Sequence, residues 1–343
     1  MNILKLIILP GIVATLIAFL VTPLVIKFAW KFGLVDDPKK NKHPKVIHTK
    51  TTPRGGGLAI FIAILISALL FLPFNIHLAA ILTGAVIILI IGLLDDKFNL
   101  SPYLRLVVQF IAATIPVLAG ITISFITNPM GGIINLPVWL GSILAILLIV
   151  LLMNGLNFGA KGVDGQLSGV VVIAAITVAI LSLRFSADAL QWPVIILAII
   201  LAGSFLGFLP WHIYPQKIMP SFSGSNLAGY FLAILSILST AKVGTLLVVL
   251  AIPLVDTGYV ITRRLLTGNS IFWGDRGHLH HRLLDNGHLT IPQVAVFYWI
   301  ATAVLGIISL TLNTSSKLYT IIGVTIFVGG LILWLTYRPK SNR

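Results

Sequence analysis

Long apolar runs, each near the length of a bilayer crossing, alternate along this chain with short polar loops. A spanning helix needs about 20 consecutive apolar residues. The pattern predicts spans near 3–26, 57–73, 77–94, 104–122, 138–156, 167–184, 190–209, 224–240, 243–262, 291–312 and 317–337. The expected fold class is all-α: a polytopic integral membrane protein of about eleven transmembrane helices, forming a single transmembrane domain over residues 1–343. The run from Ile3 is longer than the apolar region of a cleaved leader and reads as the first span. Segment 123–137 is interrupted by Asn, Pro and Gly and reads as a short external hairpin.

Composition narrows the class. Hydrophobic residues make up 58% of the chain and charged residues 9%, against roughly a quarter charged in a soluble domain. The absence of Cys excludes disulfides and thiolate metal sites. All nine acidic residues are Asp. The net charge of +14 sits in loops between apolar spans, which points to anionic membrane lipids and phosphorylated substrates and not to nucleic acid.

With eleven spans, 19 of the 23 Lys and Arg fall on one side, together with the C-terminus. The positive-inside rule makes that side cytoplasmic, in a plasma membrane. The same side receives eight of the nine Asp (all but Asp188) and seven of the eight His (all but His77). Topology does not require Asp and His there, so their concentration suggests a reaction or binding surface. The loops concerned lie near 27–56, 95–103, 157–166, 210–223 and 263–290.

Four of these loops carry candidate chemistry. The first runs from Asp36 through His48 and Arg54 to Gly55-Gly56-Gly57, where bare backbone N–H groups at a helix start would suit an anion. The next holds Asp95 and Asp96, adjacent carboxylates eased by a cation between them and a phosphate, with Arg105 one segment on. A pair of solvated helix-end acids is the plainer reading. Asn154 and Asn157, three apart, precede Asp164, and their amides suit nucleobase or sugar hydrogen bonds or simple capping. The densest loop reads Arg263-Arg264, then Asp275-Arg276-Gly277-His278-Leu279-His280-His281-Arg282. Such a cluster supplies acid–base groups and bidentate phosphate contacts.

Taken together, HTKTTPRGGGLAI (48–60), GLLDDKFNLSPYLRLVVQ (92–109), NGLN with VDG (154–165), PQKI with SGS (215–225) and DRGHLHHRLL (275–284) resemble the polyprenyl-phosphate N-acetylhexosamine-1-phosphate transferase family. The H-L-H-H form and the preceding Arg pair are similar to its GlcNAc-1-phosphate branch. The resemblance implies transfer of a sugar-1-phosphate from a UDP-amino sugar to polyprenyl phosphate, with release of UMP, in cell-envelope glycopolymer synthesis. It implies Mg²⁺ as cofactor and a catalytic set of Asp95, Asp96, His278, His280 and His281, with Asp95 and Asp96 at the metal. It implies substrate contacts from His48, Arg54, Arg105, Asn154, Asn157, Asp164, Lys217, Arg264, Asp275 and Arg276.

The chain departs from the family pattern where acids are expected. Lys161 stands at the first Asp of the N-x-x-N-x-x-D-G-x-D-G loop, which carries one additional residue, and Phe222 stands at a metal-binding Asp. His212 replaces an Asn. Phe offers no lone pair to Mg²⁺. Two readings stay open: a degenerate member that binds lipid phosphate or nucleotide without turnover, or an enzyme in which Lys161 supplies charge in place of metal. A homodimer or a partner subunit supplying the missing acids is a further expectation. A transporter is disfavoured because the Asp and His gather at span ends on one side.

Overall fold

The computed structural model describes residues 3–39, 47–128, 131–184, 192–239, 243–270 and 276–337. Thirteen helices account for most of them: α1 (Ile3–Phe32), α2 (Gly57–Phe71), α3 (Ile76–Phe98), α4 (Pro102–Leu118), α5 (Val138–Gly159), α6 (Gln166–Arg184), α7 (Trp192–His212), α8 (Ser221–Leu238), α9 (Val243–Val249), α10 (Ala251–Leu266), α11 (Leu279–Asp285), α12 (Ile291–Thr311) and α13 (Thr314–Tyr337). The fold is all-α, as the apolar pattern predicts. Large apolar side chains such as Leu20, Leu118 and Ile326 point outward over the bundle. Only lipid accepts such a surface at low cost.

Among the described residues, eight helices are long and apolar enough to cross a membrane, and nine if the bent α9–α10 pair is one span. The other two expected spans coincide with α2 and α4, of 15 and 17 residues. At 1.5 Å per residue these reach about 22 and 25 Å, short of a hydrocarbon core of about 30 Å. The span expected at 243–262 is not one straight helix: α9 and α10 meet at 77°. Pro253, one turn into α10, has no N–H to return to the carbonyl of Val249, so the ladder cannot run straight through. Segment 123–137 does form a hairpin, with β3 (Phe125–Thr127) antiparallel to β4 (Ile133–Asn135). A second small ribbon pairs β1 (Val35–Asp36) with β2 (Thr52–Pro53).

Helix α8 is the axis of the bundle. It is buried along almost its whole length, against α2, α3, α5 and α7. Its small residues Ser223, Gly224, Ser225, Ala228 and Gly229 let neighbouring backbones come close, the usual route to helix association in lipid. One such close approach is at Gly92 of α3, where a Cβ would lie 2.6 Å from the Cα of Ser223. That contact brings the end of α3, with its Asp pair, against the start of α8. Tyr230 locks the same pair lower down by donating to the carbonyl of Ile81 at 2.9 Å.

Candidate active site

The polar ends of α3, α5, α8 and α10 meet segments 47–54, 160–165 and 278–281 around a cleft of about 240 Å³. Four cations line it: Arg54, Arg105, Lys161 and Arg264. Carboxylates of Asp36, Asp95 and Asp164 and imidazoles of His48, His278, His280 and His281 face them.

The two adjacent acids of α3 have different surroundings. Asp95 lines the cleft, with Arg105 Nη1 3.4 Å from both its oxygens. Asp96 does not line it. It lies behind, accepting from the Phe222 N–H at 3.1 Å and the Ser223 hydroxyl at 2.9 Å, with Arg54 at 3.4 Å. Ser221 takes a left-handed φ of 54°, a costly conformation for a residue with a side chain, and the next N–H is the one that meets Asp96. The ring of Phe222 is almost wholly buried and sits 5.1 Å from the Arg105 guanidinium. Arg105 is thus held between a carboxylate and an aromatic face.

Loop 160–165 is stapled by Gln166, whose carbonyl accepts the N–H groups of Gly162 (3.0 Å) and Val163 (3.2 Å) while its amide donates to Gly159 (3.0 Å). The staple presents Lys161 to the cleft. Lys161 Nζ donates to Asn157 Oδ1 at 2.6 Å, and the same oxygen accepts from Ser225 of α8 at 2.9 Å. Only glycine fits at 162, because a Cβ there would collide with the ring of His280. Asp164 accepts from the Gln216 N–H at 3.0 Å. Burial raises its carboxyl above the usual range, partly offset by that N–H and by neighbouring His48.

The histidine cluster is oriented by a residue that sequence reasoning counted but did not single out. Asp256 of α10 is fully buried, accepts from the Leu279 N–H at 2.7 Å and lies 2.9 Å from His278 Nδ1. Nδ1–H is then the donor to Asp256, leaving Nε2 as the ring nitrogen able to meet a ligand. His278 stacks on His280, with ring centroids 5.4 Å apart, and His280 tilts against His281 at 4.4 Å. Burial drives His280 well below the ordinary histidine value, with His281, His278 and Arg276 adding to the effect, so it is neutral. An acid inside an apolar span is costly, and that signal could have drawn attention to Asp256.

Three buried polar atoms around the cleft have no hydrogen-bond partner among the described residues, His48 Nε2, Ser221 Oγ and His280 Nδ1, and Asp95 Oδ1 has only the ion pair with Arg105. Buried polar groups are nearly always satisfied, so this concentration marks a place built to receive a ligand. The residues present do not fit the Mg²⁺ that the resemblance implies. Mg²⁺ needs oxygen ligands in a near-octahedral array. Of the two acids at the end of α3 only Asp95 lines the cleft, and both its oxygens lie 3.4 Å from the Arg105 guanidinium. Asn157 Oδ1 is occupied by Lys161 and Ser225, Asp96 is turned to α8, and Phe222 brings carbon.

The cleft therefore unites His48, Arg54, Asp95, Arg105, Asn157, Asp164, Arg264, His278, His280 and His281 of the expected set. Others lie elsewhere. Asn154 donates to Gln109 at 2.8 Å, and Gln109 to Asn226 at 2.5 Å, a polar link between helices. Lys217 stacks its ammonium 5.0 Å from the Trp211 ring centroid. Arg276 forms a fork with Asp285, at 2.6 and 2.9 Å. Asp275 lies outside the described residues. Within the triple glycine, the Gly56 N–H is taken by the carbonyl of Met219 at 2.9 Å, and Gly57 packs on Ser223 and Gly224.

Comparison with known proteins gives this site a context. Residues 78–240 match the glycosyl transferase family 4 domain. The chain is 34% identical, over 84% of its own length and 80% of the other's, to a probable undecaprenyl-phosphate N-acetylglucosaminyl 1-phosphate transferase of Bacillus subtilis strain 168. It is 30% identical to a decaprenyl-phosphate N-acetylglucosaminephosphotransferase of Mycobacterium leprae, covering 97% of this chain and 91% of that one. It is also 30% identical to an undecaprenyl-phosphate alpha-N-acetylglucosaminyl 1-phosphate transferase of Haemophilus influenzae, covering 93% and 90%.

Proposed function

The chain belongs to the family of polyprenyl-phosphate N-acetylglucosaminyl-1-phosphate transferases, and from that premise we propose that it moves a GlcNAc-1-phosphate-type group from a UDP-sugar to polyprenyl phosphate. The reaction runs on the cytoplasmic face of the plasma membrane, in cell-envelope glycopolymer synthesis. The observation that carries the reading is the cleft itself, where Arg54, Arg105, Lys161 and Arg264 gather beside three unsatisfied buried polar atoms.

An oxygen of the lipid phosphate attacks the sugar-bearing phosphorus of the UDP-sugar. The bond from that phosphorus to the bridging oxygen breaks, and UMP leaves with the electron pair. The lipid phosphate is already an anion, so no strong base is required, and the protein's task is positioning and charge stabilisation. Arg105, fixed by Asp95 and Phe222, and Lys161, fixed by Asn157, face the phosphates. His278, held through Nδ1 by the Asp256 carboxylate, donates from Nε2 to a phosphate oxygen or the leaving group as the imidazolium that this carboxylate stabilises. Asp164 and Asn157 lie where a nucleoside could be read by carboxylate and amide.

Purified protein given undecaprenyl phosphate and UDP-GlcNAc should release UMP and form polyprenyl-diphospho-GlcNAc. Release no greater than that of an Asp95→Asn variant would overturn the reading. The buried Phe222 ring favours a second reading, ligand binding without turnover. That reading predicts thermal stabilisation by UDP with no UMP released from UDP-GlcNAc.

A further inference from the structure

We infer that Lys161 takes the place of a divalent cation in this cleft, so that a nucleoside diphosphate binds here without metal. The inference rests on the reading of the cleft as a nucleotide-sugar site, and it concerns which charge holds the diphosphate.

The ammonium of Lys161 is set in place from two helices. Asn157 of α5 accepts from it at 2.6 Å, and Ser225 of α8 pins the same amide oxygen at 2.9 Å. Lys161 and Asp96 attract each other across the junction of α3 and α5. The loop that carries Lys161 is itself held by three hydrogen bonds to Gln166. An ammonium positioned this firmly is pre-organised and does not depend on a wandering surface side chain.

The neighbouring oxygen inventory works against a metal. Phe222, at the head of α8, turns an aromatic face to Arg105 where an oxygen ligand would be needed. Asp96 spends its oxygens on the Phe222 N–H and the Ser223 hydroxyl. Asp95 is engaged with the Arg105 guanidinium. A dication entering here would meet an ammonium and a guanidinium with one carboxylate to share. A diphosphate entering here would meet those same cations as partners, in the manner of a lysine-and-arginine phosphate clamp.

The test uses UDP as the probe and the full detergent-purified chain. Thermal midpoints are titrated against UDP in EDTA and, separately, in excess Mg²⁺. The expected result is the same UDP-dependent rise in both. Lys161→Met should weaken UDP on the order of tenfold or more in both, the loss of one charge-assisted contact. Lys161→Gln keeps a donor for Asn157 and should weaken UDP similarly, which separates lost charge from lost folding. The double variant Lys161→Asp with Phe222→Asp should bind UDP only with Mg²⁺ present. Stabilisation that appears in the wild type only with Mg²⁺, no stabilisation in either buffer, or undiminished UDP affinity in Lys161→Gln would overturn the inference. UMP release separates the two claims. EDTA-insensitive UDP binding without any release leaves the inference standing and sinks the transfer. Release that requires Mg²⁺ does the reverse.

Discussion

Replacing Asp256 with Asn probes how the histidine cluster is aimed. Asp256 is fully buried and makes two contacts with its carboxylate, one to the Leu279 N–H at 2.7 Å and one to His278 Nδ1 at 2.9 Å. Asn is the same size but has one oxygen, so it can accept from only one of them. If that oxygen stays with the backbone N–H, an amide N–H then faces His278 and favours the tautomer with its proton on Nε2. A hydrogen bond to a charged group is worth about 1.5–3 kcal/mol. If the whole of that orientation is used in the transition state, UMP release should fall roughly ten- to 150-fold. Folding should suffer less than in Asp256→Ala, which leaves the Leu279 N–H without a partner. The assay is UMP release at saturating polyprenyl phosphate, run beside thermal melting of the same preparations. A variant that melts near the wild type and turns over at the wild-type rate would refute the idea that Asp256 orients His278 for the reaction.

Other outcomes follow from the same geometry. Gly92→Ala forces a methyl to within 2.6 Å of Ser223 Cα and should cost about 1–3 kcal/mol of stability, read as a lowered melting midpoint in detergent. His280 is neutral when folded, whereas the unfolded chain protonates near pH 6.5. Its contribution is therefore fully present above that pH and is lost as pH falls below it, by about 1.4 kcal/mol per pH unit for one proton. Stability should therefore fall by about 1.4 kcal/mol in total between about pH 7.5 and about pH 5.5, read from melting, and His280→Asn should remove that loss. Lys217→Ala and Arg276→Ala, which remove groups outside the cleft, should leave UMP release within about twofold of wild type.

Much of this architecture was legible in the residue pattern, because a span's length and apolarity are properties of the local sequence. The hairpin at 123–137 was legible for the same reason, from its Asn, Pro and Gly punctuation. The bend at Leu250 was not, since the apolar run continues across it and Pro253 alone does not fix the angle. Helical spacing placed Asn154 and Asn157 on one face. It could not say that Asn154 would meet Gln109 while Asn157 met Lys161 and Ser225, because partners on other helices are set by tertiary packing. The same limit separates Asp95 from Asp96: adjacent in sequence, one faces the cleft and the other ties α3 to α8. Asp256 stood in plain view as an acid inside an apolar run, but its partner lies 22 residues away on α11's leading edge.

The most direct test of the central claim is to follow both products of one reaction. Purified protein is incubated with undecaprenyl phosphate and UDP-GlcNAc labelled in the sugar, and UMP and labelled lipid are counted together. The account predicts equal amounts of UMP and lipid-linked GlcNAc-phosphate, lost when Asp95 is replaced by Asn. A chain that yields neither product above the level of that variant would contradict it.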